Sequence, residues 1–196
     1  MAIAYNGAVS NRSMESRFTM DHATQTLWEQ VHSTDGDVRL AAFDTLMLIT
    51  EQPVDWAYEI WDTLVAELEH PNGHQRAIAA QLLCNLAKSD PEHRILNDFE
   101  TMFKLLRDDK FVTARHTLQS MWKIGLVSVD HRKLVIDRLS GWFYACGTMK
   151  NATLMRYDIL QGLRKLYNEV GDPLLRDTAR ALIATEPDLK YRKKYA

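Results

Sequence analysis

Apolar side chains recur at helical spacing along most of the chain, and the clearest pattern follows four arginines. Three residues after each arginine stands an alanine, leucine or isoleucine, and seven residues after it stands a large apolar residue. This spacing puts both positions on one face of a helix. The arginines are Arg39, Arg76, Arg115 and Arg156, and the residues seven positions later, all predicted to be buried, are Leu46, Leu83, Trp122 and Leu163.

Another amphipathic stretch precedes each arginine-containing helix, with a turn between the two. Asp21, Asp90 with Pro91, and Asp130 are suitable helix starts, because aspartate accepts free amide hydrogens and proline has none to satisfy. No stretch alternates β-branched and polar residues, so the sequence predicts four helix pairs and no strand. The preceding stretches cover residues 22–32, 54–70, 91–108 and 130–147, and the turns cover residues 33–37, 70–73, 107–109 and 147–151.

The spacing of the arginines is 37, 39 and 41 residues. A period of about 40 residues with two helices per unit, the second opened by an arginine, resembles the HEAT and HEAT-like repeats. This resemblance covers residues 21–186 and implies an all-α, right-handed α-α superhelix, a solenoid of about four helix pairs with a C-terminal capping helix. The closing residues 182–196 are similar to the ending of bacterial HEAT-type proteins to which no activity is assigned.

The HEAT resemblance also implies where surfaces and struts lie. First helices would form the convex face, second helices would line the concave face, and a turn aspartate would bond the arginine of the next helix. The turn residues that match are Asp35 or Asp37, Asn72, Asp109 and Asn151. Recurrence at one helical phase favours struts between repeats for the four arginines, and a shared phosphate or carboxylate site is the alternative.

The predicted domain organisation is a single solenoid over residues 21–196. Its repeats are expected at about 21–52, 53–89, 90–128 and 129–171, with a cap at 172–196. Residues 1–20 are expected to form a flexible tail, since they lack helical periodicity. No leader segment or long apolar run is present, so we expect a cytoplasmic protein without membrane contact. Cys84 and Cys146 are expected to be reduced, buried thiols.

Charge is nearly balanced over the whole chain, with a formal net charge of −2. A protein of this kind has no overall field that would attract nucleic acid or anionic lipid. The distribution is uneven, because residues 150–196 carry ten Lys and Arg against six Asp and Glu. Nucleic acid is therefore not the expected partner, and the C-terminal quarter is the main basic region.

The second helices supply the candidate partner-binding surface. Positions one, five, eight and twelve after each arginine lie opposite the predicted core at about 100° per residue. The resulting groove would run from acidic residues to basic ones, and concave solenoid surfaces commonly bind proteins or peptides. An ordinary solvated helix face is the alternative. The candidate residues are Asp44, Glu51, Gln81, Lys88, His116, Lys123, Tyr157, Gln161, Arg164 and Lys165.

The basic tail KYRKKY is a second candidate surface. Its cations are Lys190, Arg192, Lys193 and Lys194, interleaved with two tyrosines. Such interleaving can hold single-stranded nucleic acid or an acidic peptide. The alternative is a capping helix whose lysines stay solvated while its tyrosines pack on the last repeat.

Signals for catalysis or metal binding are weak. His70 and His74 are four residues apart, but a Pro-Asn-Gly turn separates them, and no HExxH, paired CxxC, P-loop, GxGxxG or GxSxG motif occurs. We therefore expect a non-catalytic scaffold, without metal or cofactor, that binds a protein or peptide; the oligomeric state stays open. The alternative is a HEAT-like enzyme or nucleic-acid-binding protein, similar to DNA glycosylases or tetrapyrrole lyases. The glycosylase resemblance requires an aromatic residue with a carboxylate four residues later, and only Tyr58–Asp62 has that spacing.

Overall fold

The computed structural model describes residues 19–196, which form ten α-helices and no strand. The all-helical prediction is confirmed for this part of the chain. Of the tail predicted at residues 1–20, residues 1–18 lie outside the described residues. The helices are α1 His22–Gln30, α2 Gly36–Ile49, α3 Ala57–Glu67, α4 Gly73–Leu86, α5 Arg94–Lys104, α6 Phe111–Ser120, α7 Val129–Ala145, α8 Ala152–Val170, α9 Pro173–Thr185 and α10 Leu189–Tyr195.

Helix packing follows the order of the chain. The arginine-containing helices α2, α4, α6 and α8 lie side by side in that order, and α1, α3 and α7 pack on α2, α4 and α8 respectively. The 3₁₀ turn Leu105–Arg107, which continues α5, packs on α6. The predicted single capping helix is in fact two helices, because the chain is extended at Glu186 and Pro187 follows. Of these, α9 packs on α7 and α8, and α10 packs on α8 and α9.

Helix starts agree with the sequence only in part. Asp21 caps α1, where its carboxylate accepts the Thr24 amide at 2.7 Å. Helix α5 begins at Arg94, later than predicted, and Asp90 accepts the amide of Ile95 at 2.8 Å from outside the helix. Helix α7 is capped by Ser128, whose hydroxyl accepts the His131 amide, while Asp130 lies in the first turn. An aspartate in that turn is favourable because it faces the positive end of the helix dipole.

Three of the four large residues predicted to be buried are inaccessible, and the fourth is not. Leu46, Leu83 and Leu163 belong to the core, whereas Trp122 is only half-buried. A 3₁₀ turn over Met121–Leu126 follows α6, and its three residues per turn shift the side-chain directions away from the α-helical phase. Met121 and Ile124 therefore occupy the core positions.

Three of the arginines bond acidic residues that come later in the chain. Arg76 donates to both carboxylate oxygens of Asp108, at 2.6 and 2.8 Å, and its contact with Asp109 is longer at 3.1 Å. Arg115 bonds Asp158 at 2.6 and 2.9 Å, and Arg156 bonds Glu186 at 2.8 Å.

The first arginine and the predicted turn acceptors behave differently. Arg39 donates to the carbonyl of Ser33 and pairs with no carboxylate among the described residues. Asp35 and Asn72 cap their own helices, so their oxygens already accept backbone amides. Asn151 has a left-handed backbone, with φ of 66°. Among the predicted acceptors, only Asp109 accepts a hydrogen bond from one of the four guanidinium groups, and the main partners of these groups are Asp108, Asp158 and Glu186.

Both cysteines are fully buried free thiols. Burial raises the pKa of the Cys84 thiol to about 12, which leaves it protonated and unreactive at neutral pH. Within residues 19–196, no helix combines the length and apolarity needed to cross a membrane.

Candidate functional site

A groove crosses the N-terminal halves of three second helices. One concavity of about 300 Å³ lies between α2 and α4, and another of about 480 Å³ lies between α4 and α6. Both are lined by His74, Ala77 and His116, so they form one continuous surface, called here the α2–α4–α6 groove. Its remaining lining residues include Gly36, Arg39, Leu40, Phe43, Ile78, Gln81, Asn72, Gly73, Asp109, Lys110, Phe111, Val112 and Thr113.

The walls of the α2–α4–α6 groove expose aliphatic side chains. Leu40 on α2 is 56% exposed and Val112 on α6 is 60% exposed. Half-buried Phe43 and Phe111 lie deeper on the same two walls. Apolar side chains that line adjoining concavities are more informative than isolated surface leucines, since such surfaces commonly mark binding sites.

Two histidines line the junction between the concavities. His116 is exposed as a residue, but partial desolvation of its ring lowers its pKa, and the neighbouring Arg115 and His74 act in the same direction. His116 is therefore mainly uncharged at neutral pH, which suits a surface with apolar walls.

A lysine cluster, formed by Lys88, Lys123 and Lys165, lies beyond the groove toward the C-terminal ends of the second helices. The Lys123 ammonium donates to Asn85 Oδ1 at 2.5 Å, and Lys88 donates to the Glu51 carbonyl at 2.6 Å. Lys165 lies over the Trp122 ring at 5.9 Å. Burial lowers the pKa of Lys123, and the charges of Lys88 and Lys165 contribute to this shift. No carboxylate of residues 19–196 forms an ion pair with this cluster.

Asn85, which accepts the hydrogen bond from Lys123, is itself hydrogen-bonded to α2 and its C-cap. Asn85 is buried and donates to the Met47 carbonyl and to Thr50 Oγ1, both at 3.0 Å. A chain of polar contacts thus links α2, α4 and the 3₁₀ turn after α6. Lys123 was predicted to lie opposite the core on the groove face, and the structure shows it half-buried because the 3₁₀ turn directs it toward Asn85.

The other sequence-predicted groove residues are divided among different places. Gln81 and His116 line the α2–α4–α6 groove, while Gln161 and Arg164 line a separate pocket described below. Asp44, Glu51, His116, Arg164 and Lys165 are exposed, and Gln81, Lys88, Lys123, Tyr157 and Gln161 are half-buried. Sequence reasoning missed Leu40, His74 and Val112. Leu40, one residue after Arg39, has the helical phase opposite the core, so an apolar residue on a polar face was the available signal there.

The basic tail forms helix α10, which is docked on the preceding helices. The Tyr195 hydroxyl donates to the Thr153 carbonyl at 2.9 Å, and burial raises the pKa of Tyr195 to about 12. Arg192 donates twice to the Glu186 carbonyl, at 2.7 and 3.0 Å. Lys190, Lys193 and Lys194 remain exposed. This is the arrangement of the capping alternative, in which tyrosines pack and lysines stay solvated.

A pocket of about 340 Å³ lies between α8 and α9, and is called here the α8–α9 pocket. Buried leucines from both helices form its floor, and three exposed arginines stand at its rim. Arg176 pairs with Asp177 at 2.8 Å. The floor residues include Leu160, Leu163, Leu175, Ala179 and Ile183, and the rim residues include Gln161, Arg164, Asn168, Arg176 and Arg180.

No group of three or more His, Cys, Asp or Glu side chains in residues 19–196 is arranged to hold a metal ion. Tyr58 and Asp62, the pair with glycosylase-like spacing, serve other contacts. Tyr58 donates to Asp90, and Asp62 pairs with Arg94.

No protein-family model matches the chain, and no curated protein sequence matches it. Among solved structures, the chain is similar to an engineered protein with a TM-score of 0.51 at 16% identity, over 88% of this chain and 76% of the other. Another engineered protein gives a TM-score of 0.49 at 16% identity, over 88% of this chain and 46% of the other. The first similarity bears on the helical fold alone.

Proposed function

We propose that the chain is a non-catalytic HEAT-like repeat protein that binds an amphipathic segment of another protein in the α2–α4–α6 groove. The observation that carries this proposal is the junction of two concavities at His74, Ala77 and His116. A binding surface made by adjacent repeats is the usual working surface of a solenoid.

The repeat assignment is supported by packing and by the arginines. Four pairs would be α1 with α2, α3 with α4, α5 with α6, and α7 with α8, with α9 and α10 as the cap. The second helices lie side by side in chain order, and Arg76, Arg115 and Arg156 each bond an acidic residue beyond their own pair. A right-handed superhelix remains a prediction of this proposal.

The chemistry of the groove favours a protein segment with apolar side chains. Leu40 and Val112 stand on opposite walls, so apolar side chains of an occupant would lose water against both. The cations of the lining are Arg39 and Lys110, and the lining also contains Asp109. A nucleic-acid site would require a denser set of cations for phosphate contacts.

A peptide-display selection against the protein, followed by affinity measurement, tests the proposal. Val112→Glu should weaken a selected peptide by at least about tenfold, because it places a charge against an apolar contact. Val129→Glu is the matched control, since Val129 also lies in the first turn of a helix and is 56% exposed. Equal peptide affinities for Val112→Glu and Val129→Glu would contradict the proposal. If Val112→Glu weakens only self-association of the chain, the occupant of the groove is a second copy of the chain.

A further inference from the structure

The α8–α9 pocket combines an apolar floor with a basic rim. Leu160, Leu163 and Leu175 are buried in the core and also line the pocket, so its base is aliphatic. Its volume of about 340 Å³ is in the range of sites that take a small ligand or a few side chains. An occupant must therefore present both an apolar group and a group that suits arginine.

The rim carries more positive charge than its surroundings neutralise. Arg164 and Arg180 form no ion pair with any carboxylate of residues 19–196, and Arg176 is paired with Asp177. The bond from Arg176 lowers the pKa of Asp177, and the nearby charge of Arg180 adds to this effect. Asp177 thus pairs with Arg176, and neither Arg180 nor Arg164 on the opposite helix has a paired carboxylate among residues 19–196.

The pocket adjoins α8, which packs beside α6, one of the three helices that form the α2–α4–α6 groove. Gln161 and Arg164 lie on α8, the last second helix, at the positions where the sequence placed the basic end of the groove. Lys165 of the lysine cluster directly follows Arg164. A segment that follows the second helices from α2 toward α8 would meet basic side chains as it approaches the pocket.

We propose that the α8–α9 pocket binds an acidic residue of the partner segment together with an adjoining apolar side chain. This inference rests on the proposed function and specifies the chemistry of the partner. The carboxylate would lie between Arg164 and Arg180, since guanidinium groups bind carboxylates with two parallel hydrogen bonds. The apolar side chain would cover the floor formed by Leu160, Leu175 and Ile183.

A protein segment fits this site better than a nucleic acid does. Phosphate-binding surfaces repeat cations along a strand, whereas this rim surrounds an aliphatic base that a sugar-phosphate backbone would leave unfilled. A leucine or phenylalanine beside an aspartate or glutamate supplies both required groups.

Fluorescence anisotropy with short labelled peptides tests the inference on the full chain. The probe is the peptide Gly-Asp-Leu-Asp-Phe-Glu-Gly, compared with a peptide in which lysine replaces each acidic residue and with one in which serine replaces leucine and phenylalanine. Arg164→Glu and Arg180→Glu should each weaken binding of the acidic probe by about tenfold, more at low salt than at high salt. Lys104→Glu makes the same charge change at an exposed position of α5 and should leave the affinity unchanged.

Each outcome decides the assignment. The assignment is supported if both arginine variants bind the acidic apolar probe more weakly than the wild type does, and if the wild type binds the serine and lysine peptides more weakly than this probe. Equal binding by wild type and both arginine variants, or no binding to wild type, overturns it. Displacement of the probe by free phenylacetate at equal concentration, or tighter competing binding of a single-stranded oligonucleotide, also overturns the peptide assignment.

The proposed function has a separate readout. Val112 lies outside the α8–α9 pocket, so the Val112→Glu measurement reports on the α2–α4–α6 groove alone. Circular dichroism melting of each arginine variant checks folding, and Arg164→Gln and Arg180→Gln replace any charge reversal that fails to fold. Both arginines are exposed, so the neutral variants preserve the core.

Discussion

Removal of Arg115 should destabilise the fold strongly, because its partner Asp158 is buried and would be left without an ion pair. The Asp158 side chain is 4% exposed and accepts Arg115 Nε at 2.6 Å and Nη2 at 2.9 Å. Arg115→Ala would leave this carboxylate in the interior with Gln119 as its remaining side-chain partner, at 3.0 Å. Removing one member of a buried pair costs about 3–5 kcal/mol. Since the Arg115 side chain is 33% exposed, we expect a loss of about 2–3 kcal/mol in the free energy of unfolding.

Arg138→Ala is the matched control for this experiment. Arg138 also pairs with an acidic side chain at 2.6 Å, but its partner Glu100 is 53% exposed. Exposed pairs contribute about 0–1 kcal/mol, so this variant should be nearly neutral. Urea unfolding followed by tryptophan fluorescence measures both losses, provided that the slope of the free energy of unfolding against urea concentration is the same in all variants.

The double variant Arg115→Ala with Asp158→Ala separates the pair from the orphaned charge. It should be at least about 1 kcal/mol more stable than Arg115→Ala alone, because the unpaired carboxylate is then gone. Equal losses for Arg115→Ala and Arg138→Ala would refute the reasoning, since burial of the acid would then have no effect.

Three further predictions concern the core, the helix contacts and pH. Leu83→Ala should lower the free energy of unfolding by about 2–5 kcal/mol in urea denaturation, because Leu83 is fully buried. A Cβ at Gly73 would lie 2.9 Å from Thr113 Oγ1, so Gly73→Ala should lower the melting temperature, whereas Gly141→Ala, with open space at its Cβ, should raise it. Burial lowers the pKa of His131 below its ordinary 6.5, so the unfolded chain takes up this proton first on acidification. The free energy of unfolding should therefore decrease as the pH falls below about 6.5. His131→Asn should make this dependence on pH less steep, as measured by denaturation at several pH values. If the free energy of unfolding depends on pH equally in His131→Asn and in the wild type, groups other than His131 cause the loss of stability in acid.

The arginine-containing helices could be predicted because their apolar spacing is a local property of the sequence. The same spacing wrongly predicted a buried Trp122, because a 3₁₀ turn replaces the α-helix there and changes the direction of its side chains. The cause lies in tertiary contacts, since a Cβ at Gly125 would lie 2.5 Å from Leu166 Cδ2. Such a close approach between the 3₁₀ turn and α8 has no signal in the residues before it.

The partners of the arginines could not be predicted for a related reason. Asp158 lies only two residues after Arg156 on the same helix, and it bonds Arg115 of α6 because α6 and α8 pack side by side. The chain order of turn residues gave no such information. The candidate site was missed in part because polar and charged residues at the outward phase were considered, while the aliphatic Leu40 at the same phase was not.

The docking of α10 determines where a fused label can be placed. Tyr195 and Ala196 line the wall of the α8–α9 pocket, and the Tyr195 hydroxyl is anchored to the Thr153 carbonyl. Anything joined after Ala196, such as a purification tag or a fluorescent reporter, would leave the domain beside the three rim arginines and compete for them if it is acidic. Tethering for surface-based affinity measurements is therefore better done at a site away from Ala196.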